Sequence, residues 1–305
     1  MTKVSVVVPT VDRVSLLDRC LDGLAAQDGV GHEVIVVHDG EPAIVELLDR
    51  RAARGDLPLR AVRVEARAAA AKRNAGWRAA AGDVIAFTDD DCAPAPGWLA
   101  AGAAAFADGV DLVQGRIAPH PDDAGNQGTF ARTLQVSKLD ETFPTANAFY
   151  RRSALERAGG FDERFPNAAG EDTDLAWTVL EGGGQAVFAP DALVHHAVHP
   201  FGFVDHLRSL PRWGDLHLVL RKHPDVRRLT YRRFFWKRTH PAALLALVGL
   251  AGAVVDRRAL ALVVPHLARR VRRDGPVVGL QLAAVDLAET AVMIGGTIRH
   301  RTVLL

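Results

Sequence analysis

The chain has 305 residues, 49% of them hydrophobic and 24% charged, an ordinary globular composition with enough material for a sizeable core and two domains. Two cysteines, Cys20 and Cys92, exclude a disulfide-stapled scaffold and point to a reducing compartment, where both read as small buried apolar side chains. The formal net charge of +1 hides a split: 18 of the 37 Lys and Arg but only 7 of the 36 Asp and Glu lie beyond residue 200. The first 200 residues are therefore acidic and the last hundred basic, which suggests an acidic site in front and a surface for an anionic partner behind.

The start, "MTKVSVVVPT", is too short an apolar run for a secretory leader, so it reads as a cytosolic N-terminus and a first strand, "VSVVVP". A helix over "DRVSLLDRCLDGLAAQ", a strand over "HEVIVVHDG", a helix over "AIVELLDRRAAR" and a strand over "LRAVRVE" follow. The alanine-rich "ARAAAAKRNAGWRAAAG" reads as a third helix closed by Gly82, and "DVIAFT" as a fourth strand. Strand and helix alternate, and the strands are apolar throughout rather than alternating. Both features predict a mainly parallel sheet covered by helices. Ligands of open α/β sheets bind beyond the carboxyl ends of the strands. Pro9-Thr10, His38-Asp39-Gly40 and Asp89-Asp90-Asp91 all fall along that edge. Further on come a helix begun near Pro96, a strand "VDLVQGRI", a polar loop "APHPDDAGNQGTF", and then a strand, a short helix and a helix from Glu171 or Asp172. "QAVFAPDALVHHAVHP" supplies a last strand and a histidine cluster.

Four clusters carry chemistry. Three adjacent aspartates repel one another, and nothing in folding asks for them at a strand end. Two carboxylates one residue apart there can instead aim at one divalent cation, and Mg²⁺ or Mn²⁺ prefer such hard oxygen donors. Glu171 and Asp172 stand where a helix begins. Taken alone, the pair reads first as a helix cap, yet a carboxylate at such a junction also serves as a general base when it reaches a substrate hydroxyl. Asp174, on another face, reads as structural. In "VHHAVHP", an imidazole of His195, His196 or His199 would suit a metal, though the spacing alone is weak. "AKRNAG" sets Lys72, Arg73 and Asn74 near a helix start, and arginine's planar fork suits a phosphate or a base edge.

The order of these clusters is more specific than any one of them. "SVVVPTVDR", "VIVVHDG", "AKRNAGWRAAAGDVIAFTDDDCAPAPGWL", "TANAFYRRSALERAGGFDERF" and "GEDTDLAWTVLEGGG" occur in succession between residues 5 and 184. In this the chain resembles the inverting glycosyltransferases of family 2, from Lys3 to about Pro200. The resemblance implies a GT-A fold, a Rossmann-like, mainly parallel sheet flanked by helices, over residues 1–200, with a helical extension over 201–305. It also implies transfer of a sugar from a nucleotide-diphosphate sugar to an acceptor hydroxyl on a glycan, a lipid-linked carrier or a small molecule. Carried over by position, Pro9, Thr10 and Asp39 would cradle base and ribose, with Arg73 and Asp90 near the nucleotide. Asp91 would be the direct metal ligand, and Asp89 would touch ribose or a metal-bound water. Asp172 would be the catalytic base, Glu171 would touch the acceptor, and His196 rather than His195 would complete the Mg²⁺ or Mn²⁺ site. His38 and Glu41 depart from the family pattern around Asp39, which leaves the base open, with UDP placed ahead of GDP and dTDP.

Beyond Pro200 the motifs stop. The apolar run from Pro241 to Val255 is about 15 residues, short of the roughly 20 that span a bilayer. Its basic flanks and the Phe234-Phe235-Trp236 cluster predict helices lying on an anionic membrane surface, which would place the protein in the cytoplasm, peripheral on the inner face of the cell membrane. A helical subdomain or dimer face is the alternative. No nucleic-acid partner is expected. Among rivals, a dinucleotide oxidoreductase needs a Gly-x-Gly-x-x-Gly turn after the first strand, and "VVVPTVDRVSLL" has none. A nucleotidyltransferase lacks its glycine-rich phosphate loop here. A non-catalytic nucleotide-sugar or glycan-binding scaffold need not keep Asp89, Asp91, Glu171 and Asp172 together.

Overall fold

The computed structural model describes residues 3–66 and 68–305. Met1 and Thr2 of the N-terminal run and Arg67 of the expected third helix lie outside the described residues. The chain divides into two compact units, Met1–Gln127 with Arg132–His199, and Gly128–Ala131 with Pro200–Leu305.

The first unit runs β1 (Val4–Pro9), α1 (Val14–Ala25), β2 (His32–His38), α2 (Pro42–Arg54), β3 (Leu59–Arg63), α3 (Ala69–Ala79), β4 (Val84–Phe87), β5 (Cys92–Pro94), α4 (Trp98–Ala104), β6 (Val110–Pro119), β7 (Ala148–Arg151), α5 (Arg152–Ala158), α6 (Glu171–Glu181) and β8 (Gln185–His196). Every residue of β1 and β4 is buried, as unbroken apolar strands in a sheet covered on both faces must be. α1 lays Leu17, Cys20, Leu21 and Leu24 against the core at helical spacing.

The eight strands are ordered β3-β2-β1-β4-β7-β6-β8-β5. β1 pairs parallel with β2 and β4, β2 with β3, and β6 with β8; β7 is antiparallel to β4 and β6, and β5 to β8. The sheet is thus more mixed than the sequence pattern implies, because β7 reverses direction at its centre.

α3 ends at Ala79, not at Gly82. Gly82 serves instead where the chain crosses β1, since a Cβ there would lie 2.7 Å from Lys3 O and Ser5 N. Gly76 on α3 allows a similar approach: its Cβ would meet Val7 Cγ1 at 2.3 Å.

The second unit is helical: α7 (Phe203–Ser209), α8 (Leu216–Lys222), α9 (His240–Gly252), α10 (Val264–Asp274) and α11 (Pro276–His300), joined in part by 3₁₀ turns. α11 lies beyond the Pro241–Val255 run that stands out in the sequence. Its 25 residues make it long and apolar enough to cross a membrane by length and composition, although Asp286 and Glu289 interrupt the run. Both acids are buried and paired within the unit. Asp286 accepts from Arg270 Nε and Nη2, each at 2.7 Å, and Lys237 Nζ donates to Glu289 at 2.6 and 2.7 Å.

Candidate active site

The carboxyl ends of β1, β2 and β4 deliver the site. Pro9 closes β1 and is buried. Thr10 follows it, and its hydroxyl donates to Asp90 Oδ2 at 2.7 Å. Asp90 is fully buried and also accepts from Arg13. Burial pushes the Asp90 carboxyl up to about 6, against the pull of Arg13, so this aspartate faces inward as a buried brace between two loops. Buried Lys72 donates from Nζ to Thr10 O at 2.5 Å and stands 3.7 Å from Asp39 Oδ2, tying the end of β2 to the end of β1.

Arg73 is the hub. Its Nη2 donates to Asp89 Oδ1 at 2.8 Å, while its Nη1 donates to Glu171 Oε1 at 2.9 Å and to Asp172 Oδ1 at 3.4 Å. One buried guanidinium therefore joins the end of β4 to the start of α6. Burial alone would lower its pKa, but Asp172, Asp89 and Glu171 outweigh that and hold it well above the usual arginine range. Glu171 is 2% exposed, with Oε2 buried and lacking a hydrogen-bond partner. Burial and the neighbouring Asp172 charge push it up to about 8 despite Arg73.

Gly170, at φ 99°, turns the chain so that Glu171 and Asp172 open α6, where the helix dipole favours their charge. Asp172 differs from its neighbour: its side chain is 21% exposed. Thr145 orients it, donating from its backbone N–H to Oδ2 at 3.0 Å and from its hydroxyl to Oδ1 at 2.8 Å. Asp174 is buried further along the helix.

Asp91 forms the second focus. β5 pairs Cys92 with His196 of β8, and Ala197 N–H donates to Asp91 O at 2.8 Å, which sets the aspartate beside the histidine strand. His199 Nε2 donates to Asp91 Oδ2 at 2.9 Å, and Arg13 donates to the same oxygen. Burial pushes the Asp91 carboxyl up, but the His199 hydrogen bond and the charges of His196 and Arg13 prevail and hold it well below the usual range. His196 Nδ1 lies 2.7 Å from Ala197 O. A carbonyl only accepts, so Nδ1 carries a proton, and in the neutral ring Nε2 keeps the lone pair that a metal would use. That lone pair stands 3.7 Å from Asp91 Oδ1, which is buried and has no hydrogen-bond partner. Two acceptors facing each other across a gap fit a cation, and a carboxylate with an imidazole suits a hard-to-borderline divalent ion. Cys92 Sγ lies in the same cluster, but burial raises its pKa well above the ordinary value, keeping it a thiol. His195 points to the opposite face of β8, its ring 5.8 Å from that of His120.

The structure thus draws Arg73, Asp89, Glu171 and Asp172 into one cluster and Asp91 and His196 into another, with Thr10, Asp39 and Asp90 along the loops. The carboxylate of Asp89 faces Arg73 rather than His196. Sequence reasoning passed over Arg13, Thr145 and the role of His199. Thr145 sits within the quoted "TANAFY" and Arg13 within "SVVVPTVDR", but neither has a spacing that announces its partner 27 or 78 residues away.

The strand order and the acidic strand-end site define a GT-A fold. The family model described as Glycosyl transferase family 2 matches residues 5–159, and that described as Glycosyl transferase family group 2 matches residues 84–270. The chain belongs to glycosyl transferase family 2. A relative named pre-mycofactocin glycosyltransferase, from Mycobacterium tuberculosis (strain CDC 1551 / Oshkosh), is 30% identical over 243 residues, covering 73% of this chain and 48% of that protein. The glycosyltransferase AglE of Haloferax volcanii is 27% identical over 212 residues, 65% of this chain and 68% of its own. The chain spans about half the length of the first of these curated relatives. Among solved structures, the mannosyltransferase PcManGT from Pyrobaculum calidifontis, in complex with GDP-Man and Mn²⁺, superposes with a TM-score of 0.63 at 22% identity, over 98% of this chain and 87% of that one. TarS 1–349 of S. aureus, in complex with UDP-GlcNAc, gives 0.53 at 18% identity, over 98% and 92%. At these identities the likeness is one of fold.

Proposed function

We propose that this chain is an inverting glycosyltransferase that moves a sugar from a nucleotide-diphosphate sugar to an acceptor hydroxyl in one displacement, with Asp172 as general base. The observation that carries the reading is the Arg73 hub, which holds the strand-end Asp89 and the helix-start Glu171 and Asp172 within reach of a single guanidinium. Two carboxylates with different tasks are what such a reaction needs, and their surroundings differ accordingly. Asp172 is solvent-accessible and oriented by Thr145, so it can accept the proton of an attacking hydroxyl. Burial raises the Glu171 carboxyl above its ordinary range, which favours the more accessible Asp172 as the basic member of the pair.

Asp91 and His196 would hold Mg²⁺ or Mn²⁺, with Asp89 toward the ribose side. When bound there, the ion supplies positive charge against the diphosphate of the departing nucleotide. Thr10, Asp39, Lys72 and Asp90 brace the loops that line the nucleotide side. The complexes of PcManGT with GDP-Man and Mn²⁺ and of TarS with UDP-GlcNAc support a nucleotide-sugar donor and leave the base to experiment. The second unit, with 18 Lys and Arg beyond residue 200 and with Phe234, Val254 and Val255 exposed, is read as a face that meets an anionic membrane from the cytoplasm.

The test is a thermal-shift and transfer screen of UDP-, GDP- and dTDP-sugars, with and without Mn²⁺, on wild type and Asp91→Asn. Metal-dependent stabilisation by one donor, lost in the variant, is the expected result. No response to any donor, or an undiminished response in the variant, overturns the reading.

A further inference from the structure

Within the second unit, the C-terminal ends of α8 and α11 open onto a cavity of about 490 Å³ lined by Arg221, Arg299, His300, Arg301 and Thr302. Three of these are arginines. All three are exposed, and their side chains make no hydrogen bond or ion pair among the described residues. The Nε2 atom of His300 is buried without a hydrogen-bond partner, 3.8 Å from Asp215 Oδ1.

A cation near a helix C-terminus is unremarkable, because the carbonyl end carries about half a negative charge. That accounts for one basic residue per helix, not for three arginines lining one concavity. Their mutual repulsion brings no folding gain. Arg301 adds a backbone argument. It occupies the left-handed region, φ 51° and ψ 38°, at the position after α11 where helices commonly place glycine. An arginine in that conformation is costly, and Arg301 is one of the residues that line the cavity.

From this convergence we infer that the cavity is a phosphate-binding site, separate in its residues from the acidic site of the first unit. Guanidinium forks match phosphate oxygens in pairs, and three of them oppose the charge of a phosphomonoester or diester. The phosphate belongs either to a free anion or to the headgroup of an anionic lipid. Ile298 and Val303, neighbours in sequence of the lining residues, are 74% and 47% exposed, which suits the lipid source. The site needs only the second unit and stands whether or not the sugar-transfer reading holds.

The test uses the full chain and three single variants. Arg301→Gly removes a charge and places glycine where the backbone suits it, so this variant should fold at least as well as wild type. Arg299→Gln removes a second. Arg272→Gln removes the same charge from an exposed position outside the cavity. Binding of inorganic phosphate is followed by titration calorimetry. Binding to phosphatidylcholine vesicles, with and without phosphatidylglycerol, is followed by co-sedimentation. Each cavity variant should weaken binding to at least one probe by about three- to tenfold, while Arg272→Gln stays near wild type. Loss toward phosphate identifies a free-anion site, and loss toward phosphatidylglycerol vesicles alone identifies a headgroup site. The inference is overturned if wild type binds neither probe, or if the cavity variants bind both as well as Arg272→Gln does. Vesicle binding that survives in both cavity variants, with phosphate binding equally undiminished or absent in wild type, would leave the membrane reading standing and remove this site.

Discussion

Both units bury carboxylates, and they bury them differently. In the helical unit Asp286 has its oxygens taken by two nitrogens of Arg270 at 2.7 Å and by the Thr239 hydroxyl at 3.0 Å. In the sheet unit Asp91 Oδ1 and Glu171 Oε2 are just as inaccessible and have no hydrogen-bond donor among the described residues. A buried charge with all its partners in place ties helices together. A buried carboxyl group with an oxygen to spare is instead the mark of a candidate site. The two kinds of buried acid cannot be told apart as strings, since "VDLAET" and "GEDTDL" look alike, and only their partners in the fold distinguish them.

The largest effect should come from Asp172→Asn. Asparagine keeps the shape but cannot take a proton, and its amide nitrogen cannot accept from Thr145 as the second carboxylate oxygen does, so transfer should fall roughly 10²- to 10⁴-fold while circular dichroism shows the fold retained. A steady-state rate within threefold of wild type would remove Asp172 from the base role. Asp286→Ala should do the reverse. It leaves the half-buried Arg270 guanidinium without its main counter-charge, with only Asp274 remaining, a loss of roughly 2 to 3 kcal/mol in stability by chemical denaturation. Nucleotide-sugar affinity of the remaining folded fraction should not change. Next, Mn²⁺ at a hundred times its Kd should stabilise wild type by about 2.7 kcal/mol, and chelation should abolish both that gain and transfer. Asp91→Asn should show neither the gain nor the transfer, whereas an equal gain in this variant would mean that the ion sits elsewhere.

Much of the sheet unit is legible in sequence because its signals are local. β1, β2 and β4 announce themselves as apolar runs, and the three aspartates stand at the end of the last of them. What could not be read depends on pairing across the chain. β5 is three residues, "CAP", with no periodicity and a proline, yet its antiparallel register with His196 is what brings Asp91 to the histidine strand. The direction of β7 likewise depends on its neighbours rather than on "AFYR" itself. Arg73 could be singled out, but not that it would face three acids from two distant segments. α11 went unread because two charges break its apolar run, and only the partners on α10 and before α9 make those charges compatible with a helix core.

A pH series probes the same contrast in the sheet unit. Folding raises the Glu171 carboxyl from its ordinary 4.5 to about 8, so between those values the native state binds more protons at this position than the unfolded chain. Its contribution to stability is therefore fully present below about pH 4.5 and is lost as pH rises toward 8. Glu171→Gln mimics the protonated form and should flatten the decline in melting temperature between pH 5 and 8. An unchanged slope would mean that Glu171 is ionised in the native state and that the cluster around Arg73 carries one more negative charge.

The smallest expected effect belongs to Thr145→Val, which removes one hydrogen bond to Asp172 Oδ1 and leaves the backbone N–H to Oδ2 in place. A single such bond contributes about 1 kcal/mol, so kcat should fall roughly fivefold with KM for the donor unchanged. Thr145→Ser keeps a hydroxyl at the same reach and should restore most of the loss. If serine fails where threonine works, the methyl group's packing matters more than the hydrogen bond. The orientation of Asp172 would then rest on the backbone of the 145–147 turn and on Arg73, with the hydroxyl only an accessory to them.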